Sequence, residues 1–419
     1  MRILWVKAGG LVPTDVGGRI RSYHILRELA RRHSITFFSF YAEHPGDIHA
    51  QLTEVFERVV CIPLRIPVPR GRGEAFHFAR HVLSPLPYSV AKHSRPEVVA
   101  ALRMLLSTES YDVIICDFAI AGGVLPWGMR YPKILFAHNV EAQIWHRRFR
   151  SASNPIWKMV AWCEYRKMLR YERRCVKNAD HVFTVSENDR EVFTTFIDRK
   201  CITVIPTGVD TEYFQPAAGT GQTDGLVFTG SMDWMPNEDA ILYFAREILP
   251  LIRREIAQVT LTVAGRLPSR RLLALATADN RIRVTGRVDD IRPYMREGSV
   301  FVVPIRVGSG TRLKIFEAMA MGKAVVSTSI GAEGLPVTDG KNILIADTPE
   351  RFARSVVSLL RQPEQCRSLG LAARWYVEQK HSWKAVTDVF EDSLCRVVRE
   401  YADRVSIPVV EPVTQVSVS

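Results

Sequence analysis

The clearest chemistry lies in the run Val307–Met321, VGSGTRLKIFEAMAM. Gly308, Ser309 and Gly310 follow the apolar run FVVPI, and a loop with so little side-chain bulk lets its backbone approach a ligand closely. A helix beginning near Arg312–Lys314 offers free N–H groups and the positive end of its dipole, which suit a phosphate. Arg312 and Lys314 place two formal charges at that same end. Cations at a helix N-terminus cost about 0.3–1 kcal/mol each unless an anion is present, so the spacing points to a diphosphate. Glu317, one turn on, offers a carboxylate able to accept both hydroxyls of a ribose. Taken alone, the run is also compatible with a helix start bearing solvated charges.

Other candidates stand at the ends of apolar runs. Asp15-Val16-Gly17-Gly18 follows the first run, and Arg19 or Arg21 just beyond can face an anionic acceptor. An ordinary strand–helix turn accounts for the glycines equally well. His138, in Phe136-Ala137-His138-Asn139, follows another strand-like run, with Glu141 nearby. A lone histidine there is as readily structural. Asp289-Asp290 suggests a metal, yet no Asp-x-Asp occurs in the chain, and Asp290 reads better as the N-cap of a helix containing Ile291–Met295.

These residues need a scaffold that brings strand ends together. Short apolar runs alternate with helical stretches from the start: Arg2–Lys7, Ser34–Phe40, Val59–Pro63, Tyr111–Cys116, Lys133–Ala137, His181–Val185 and Cys201–Ile205. A second set follows: Leu226–Thr229, Val259–Ala264, Ile282–Thr285, Val300–Val303, Ala324–Ser327 and Ile343–Ile345. Helices are expected at Arg19–Arg32, Asn237–Arg254, Lys314–Met321, Pro349–Arg361, Pro363–Lys380 and Ser382–Tyr401. Strands of this kind form parallel sheets covered by helices on both faces. The expected organisation is an α/β fold of two Rossmann-like domains facing across a cleft. Residues 1–214 form the first domain, 215–225 a linker rich in Gly, Pro and Ala, and 226–381 the second. A C-terminal helix, 382–404, should return to the first domain, with a loose tail at 405–419. Ligands then sit beyond the carboxyl ends of the strands.

Over nearly its whole length the chain resembles the family-4 retaining glycosyltransferases, whose fold is GT-B. Glu317-Ala318-Met319-Ala320 matches the second half of the family's signature, a Glu followed after seven residues by another in an EAMA-type sequence. Ser309 stands where the first Glu would fall, so the resemblance leaves that contact to the donor sugar to the backbone of Gly308–Thr311. The family also carries an Arg and a Lys in the loop after the first strand of the second domain. Here that loop, Thr229–Asn237 with Gly230 in it, has neither, and Arg312 and Lys314 are expected to supply the charge instead. The resemblance places Gly17 and Gly18 at the donor phosphate and His138 at the active site near the anomeric carbon. It also places Ser186-Glu187 and Pro206–Asp210 in cleft-facing loops, and Arg287 at the nucleotide base. It implies a nucleoside diphosphate sugar as donor, a glycan or lipid-linked acceptor, and no metal or other cofactor. A nucleotide-sugar epimerase on the same scaffold, or a degenerate binding subunit, are the alternatives.

Composition agrees with this and removes other classes. The chain has 419 residues, 47% hydrophobic and 24% charged, values of an ordinary folded protein. The seven cysteines are scattered without metal-ligand spacing and read as reduced thiols. MRILWVKAGG lacks the apolar run of a signal peptide, so a cytoplasmic location is expected. The net charge of +12 is lopsided: residues 1–200 hold 30 Lys and Arg against 19 Asp and Glu, and the remainder 26 against 25. The segment 145–177 has ten Lys and Arg against Glu164 and Glu172, interleaved with Trp145, Trp157, Trp162, Tyr165 and Tyr171. Such a stretch suits an anionic membrane surface, which would make the protein peripheral on the inner face of the cytoplasmic membrane. A core-packed helix with a solvated charged face is the alternative. No helix-turn-helix, RRM or zinc module is present, so nucleic acid is not expected as a partner.

Overall fold

A computed structural model of the chain describes residues 1–12, 17–41, 51–64, 78, 81, 84–152, 154–216, 224–307 and 312–406. Two compact units emerge. The first comprises Met1–Pro206 with Thr387–Ser419, and the second Thr207–Val386.

The sheet of the first unit contains β1 (Arg2–Ala8), β2 (Ser34–Tyr41), β3 (Arg58–Pro63), β4 (Val113–Asp117), β5 (Lys133–Phe136), β6 (His181–Thr184) and β7 (Ile202–Val204). All pairs are parallel, in the order β3-β2-β1-β4-β5-β6-β7. Its helices include α1 (Gly17–Ala30), α2 (Tyr88–Ala91), α3 (Pro96–Thr108), α4 (Glu141–Ser151), α5 (Pro155–Asn178) and α6 (Glu187–Thr194). The sheet of the second unit contains β8 (Gly225–Thr229), β9 (Thr260–Ala264), β10 (Ile282–Val284), β11 (Val300–Val303), β12 (Ala324–Ser327) and β13 (Leu344–Ile345). It is also parallel, in the order β10-β9-β8-β11-β12-β13. Both orders are doubly wound. The reversal falls between β1 and β4 in one sheet and between β8 and β11 in the other, and such switch points open a crevice at the strands' carboxyl ends.

The strands sit where apolar runs predict them, because the central strands of a sheet covered on both faces are buried on both sides, while the edge strands β3, β10 and β13 are only partly covered. Ile3 to Val6, Val113 to Cys116 and Val300 to Val303 are essentially without solvent exposure. The expected helix Asn237–Arg254 is instead three pieces: α7 (Met235–Tyr243), a π-helical turn at Phe244–Ile248, and α8 (Leu249–Glu255). Pro250 has no N–H to donate, and the wide turn just before it accommodates the lost hydrogen bond. α9 (Arg270–Ala278), α10 (Arg292–Arg296), α11 (Leu313–Ala320), α12 (Pro349–Arg361), α13 (Pro363–His381) and α14 (Trp383–Ser406) complete the set used below. Asp290 accepts the Arg292 N–H at 2.9 Å, but the N-cap position of α10 is Ile291, one residue later than the sequence suggested.

The chain leaves the first unit at Pro206, ahead of the expected linker. Residues 207–216 pack with the second unit because Arg374 on α13 gathers the carbonyls of Thr211, Phe214 and Ala320. Most of α14 belongs with the first unit. Its Phe390 packs against Trp5, Phe136 and Phe183, with ring centroids 4.7–5.8 Å apart.

Candidate active site

Each switch point carries a buried polar cluster. In the first unit the centre is Asp117, the last residue of β4, with no solvent exposure. Its Oδ2 accepts from Trp5 Nε1 at 2.9 Å, Lys7 Nζ at 2.8 Å and Ser22 Oγ at 2.7 Å. Its Oδ1 lies 2.9 Å from His138 Nε2. Arg21 Nη1 in turn lies 3.1 Å from His138 Nδ1. Burial works against the Asp117 carboxylate, but Lys7 and His138 outweigh it and hold its pKa far below the ordinary range. Burial pulls His138 down to about 4, against the opposing pull of Asp117, so the imidazole is neutral near pH 7. Arg21, lowered to about 10 by burial, stays a cation. With Arg21 donating to Nδ1, the His138 proton belongs on Nε2, facing Asp117.

The sequence singled out His138, Arg21, Arg19, Gly17 and Gly18, and the structure brings them to this crevice. Gly17 is exposed and Arg19 partly so, but Arg21 is buried. The His138 side chain is 1% exposed, so its ring organises Arg21 rather than presenting a nitrogen to solvent. Sequence reasoning missed Asp117, Lys7 and Ser22. The available signal was a carboxylate and an amine each closing an apolar strand, YDVIICD and RILWVK.

Gly18 has a packing role of its own. Phe118 adopts φ +68 with ψ 144, a strained combination that costs a non-glycine residue about 1–3 kcal/mol. Its ring stacks on His138 with centroids 4.1 Å apart and planes 8° from parallel. A Cβ on Gly18 would lie 2.6 Å from Phe118 Cζ. Gly18→Ala is therefore expected to cost about 1–3 kcal/mol. A thermal melt should show the loss, and Gly18→Ala/Phe118→Leu should recover it; an unchanged melting temperature in Gly18→Ala would dismiss this contact.

Glu141 begins α4. Burial raises its carboxyl to about 6, with Asn139 and Arg148 opposing. Its backbone N–H, with that of Ala142, is capped at 2.8 and 3.2 Å by Glu172 of α5, itself pushed up to about 8 by burial. Ser186 is the N-cap of α6, accepting from Asp189 N at 3.1 Å, while Glu187 is exposed and pairs with Arg190.

In the second unit the cluster lies beyond β8 and β11. Lys314 Nζ donates to Asn237 Oδ1 at 2.7 Å and sits 3.9 Å from the centre of the Phe228 ring. A Cβ on Gly230 would come within 2.6 Å of that ammonium, so glycine is what admits it. Lys314, from α11, thus delivers its charge into the Thr229–Asn237 loop that has no cation of its own. Arg312 is 3% exposed, with its guanidinium 5.1 Å from the Trp234 ring centre. Burial brings Lys314 down to about 7, with Glu317 opposing and Arg312 assisting. Burial raises Glu317 to about 7, and Lys314 opposes. Arg287 is exposed after β10. Gly308, Ser309, Gly310 and Thr311 lie outside the described residues. Among the described residues no three His, Cys, Asp or Glu side chains gather as a metal would need.

Two doubly wound parallel sheets in one chain are the architecture of the GT-B fold class. Residues 17–213 match the family model described as Glycosyltransferase Family 4, and residues 223–362 that described as Glycosyl transferases group 1. The chain belongs to the glycosyltransferases built from these two domains. It is 21% identical to an uncharacterized 44.6 kDa protein in the cps region of Klebsiella pneumoniae, over 94% of this chain and 100% of that one. It is 24% identical to the MMP α-(1→4)-mannosyltransferase of Mycolicibacterium hassiacum, over 92% and 97%. Among solved structures, Anabaena HepE in complex with UDP superposes with a TM-score of 0.64 at 15% identity, covering 94% of this chain and 100% of that one. Sucrose-phosphate synthase of Thermosynechococcus elongatus gives 0.62 at 18%, over 95% and 99%.

Proposed function

We propose that the protein is a retaining, metal-independent hexosyltransferase. It moves a sugar from a nucleoside diphosphate sugar to a glycan or lipid-linked acceptor in cell-surface polysaccharide synthesis, peripheral on the inner face of the cytoplasmic membrane. The observation that carries this reading is the seat of Lys314. A buried ammonium reaches the loop at a switch point, beside a helix N-terminus, with Glu317 one turn away. On this reading Arg312, Lys314 and the backbone of 308–311 hold the diphosphate and stabilise its departure, as preorganised charge does in a dry site. Glu317 takes the ribose, Arg287 faces the base, and Gly17 and Gly18 are assigned to the donor phosphate. Arg19 and Glu141 line the acceptor side. His138 is a positioning residue, holding Arg21 toward the reacting sugar. The cps-region relative supports a surface polysaccharide as product, the mannosyltransferase supports a hexose as the group moved, and the UDP complex of HepE supports a nucleotide sugar as donor.

Thermal shift against UDP, GDP, ADP and their sugars should single out one nucleotide, since a ligand that binds the folded state raises its stability. Release of that nucleoside diphosphate from its sugar should be lost in Glu317→Ala. In His138→Ala kcat should fall while the nucleotide-induced shift persists. Nucleotide binding without turnover on any donor would reassign the chain as a binding subunit.

A further inference from the structure

Helices α4 and α5 pair antiparallel. His146 lies against Tyr165 with centroids 4.9 Å apart, Phe149 against Trp162 at 5.1 Å, and the Glu141 N–H against Glu172. The pair is anchored at the Glu172 end. At the other end, residues 154–159 are exposed throughout, although Ile156, Trp157 and Met159 are apolar and 70%, 61% and 63% exposed. Asn154 caps the helix there, its side chain accepting from Ile156 N and Trp157 N, so the bare end is a finished helix start. Buried Ala161, Glu164, Met168, Tyr171 and Cys175 define the inner face of α5. Its opposite stripe reads Met159, Trp162, Arg166, Arg170, Arg173 and Lys177, at helical spacing. That stripe is apolar toward the tip and cationic along the shaft. Both carboxylates of α5, Glu164 and Glu172, are turned inward, where they bind Tyr88 N and the start of α4. The outer face of α5 therefore carries cations and no carboxylate.

We propose that this hairpin is the membrane anchor: Ile156, Trp157 and Met159 enter the acyl boundary of an anionic bilayer while Arg166, Arg170 and Arg173 lie along its headgroups. The separation of apolar tip from cationic shaft fits a lipid surface, where greasy and charged layers are stacked in depth. Nucleic acid offers no greasy layer to receive the tip. Among the described residues no helix is long and apolar enough to cross a membrane, so attachment through this element is from the side. The inference names the device behind the peripheral location proposed above, and its test needs no turnover, so it fails or succeeds separately from sugar transfer.

The test is flotation of the full chain with vesicles of phosphatidylcholine alone or mixed with phosphatidylglycerol. The wild type should float with the mixed vesicles only, and salt added before mixing should prevent it. Arg166→Gln/Arg170→Gln/Arg173→Gln should weaken binding more than tenfold, each lost cation near an anionic surface costing about fivefold. Ile156→Ser/Trp157→Ser/Met159→Ser should also lose at least about tenfold with its melting temperature kept. Leu371→Ser/Trp375→Ser, removing exposed apolar residues of α13, should bind as the wild type does. Equal flotation with both vesicle types, or undiminished flotation of the tip variant, overturns the proposal. So does a dimer seen by light scattering that the tip variant abolishes, which would assign the tip to a second copy of the chain.

Discussion

Arg312→Gln/Lys314→Met should raise the donor KM at least about a hundredfold and leave the fold intact. Each group makes a charge-assisted contact to the diphosphate on the proposed reading, worth about 1.5–3 kcal/mol, and each 1.4 kcal/mol is a tenfold change. Stability should not suffer, because Lys314 is a desolvated cation whose ammonium lies over the Phe228 ring, a position that the thioether end of a methionine can fill. The pH dependence provides an independent reading. Burial leaves Lys314 near pKa 7 in the free protein. A bound diphosphate favours the ammonium, so binding above pH 7 takes up a proton, and the Kd should tighten as pH falls from about 8.5 toward 7, by at most about tenfold per pH unit. Glu317 titrates in the same region, and because its carboxylate is the proposed acceptor for the ribose hydroxyls, its protonation works against this trend. Calorimetry with the preferred nucleoside diphosphate in two buffers of different ionisation enthalpy measures the uptake. A donor KM unchanged in the double variant would mean that the diphosphate is held elsewhere.

Asp117→Ala should be the most destabilising single change in the first unit. It leaves the Lys7 ammonium, the Arg21 guanidinium and the Ser22 and Trp5 donors around a hole with no carboxylate. Removing one partner of a buried ion pair costs about 3–5 kcal/mol, which in a unit of this size lowers the melting temperature by about 10 °C. Asp117→Leu/Lys7→Met, which removes both charges, should recover much of the loss. Acid probes the same cluster. The stability that Asp117 contributes is present above its ordinary pKa of about 3.9 and is lost as pH falls toward its much lower folded value. His138 acts earlier: between its ordinary pKa and about 4 the unfolded chain takes a proton that the folded chain refuses, so stability falls with pH across that window. Melting curves from pH 7 to 4 check this. A melting temperature of Asp117→Ala within a degree or two of the wild type would refute the central role given to the carboxylate.

These two clusters were unequally legible from residues alone. Lys314 and Glu317 stood out because a glycine-rich loop, a basic pair and a carboxylate fall within ten residues of each other. Asp117 did not, because its four partners come from β1, α1 and the end of β5, and only the strand order 2-1-4-5 sets them side by side. The strands were readable because fully buried parallel strands are unbroken apolar runs. The limits of the units were not. The turn 207–216 joins the second unit through Arg374, more than 150 residues further on, and no local pattern announces such a partner. By position Gly18 reads as a residue of phosphate approach, whereas its nearest demand is the ring of Phe118.

The return of α14 to the first unit bears on the order in which the protein is made. On the ribosome, residues 1–206 emerge first, but the side chain that packs against Trp5, Phe136 and Phe183 is Phe390. At about 5–20 residues per second, the intervening second unit takes roughly 10–40 s to synthesise. Through that interval the earlier unit waits with an aromatic pocket unfilled, while the later one is a continuous segment able to close on itself. Maturation thus runs against the direction of translation: the half begun first is finished last.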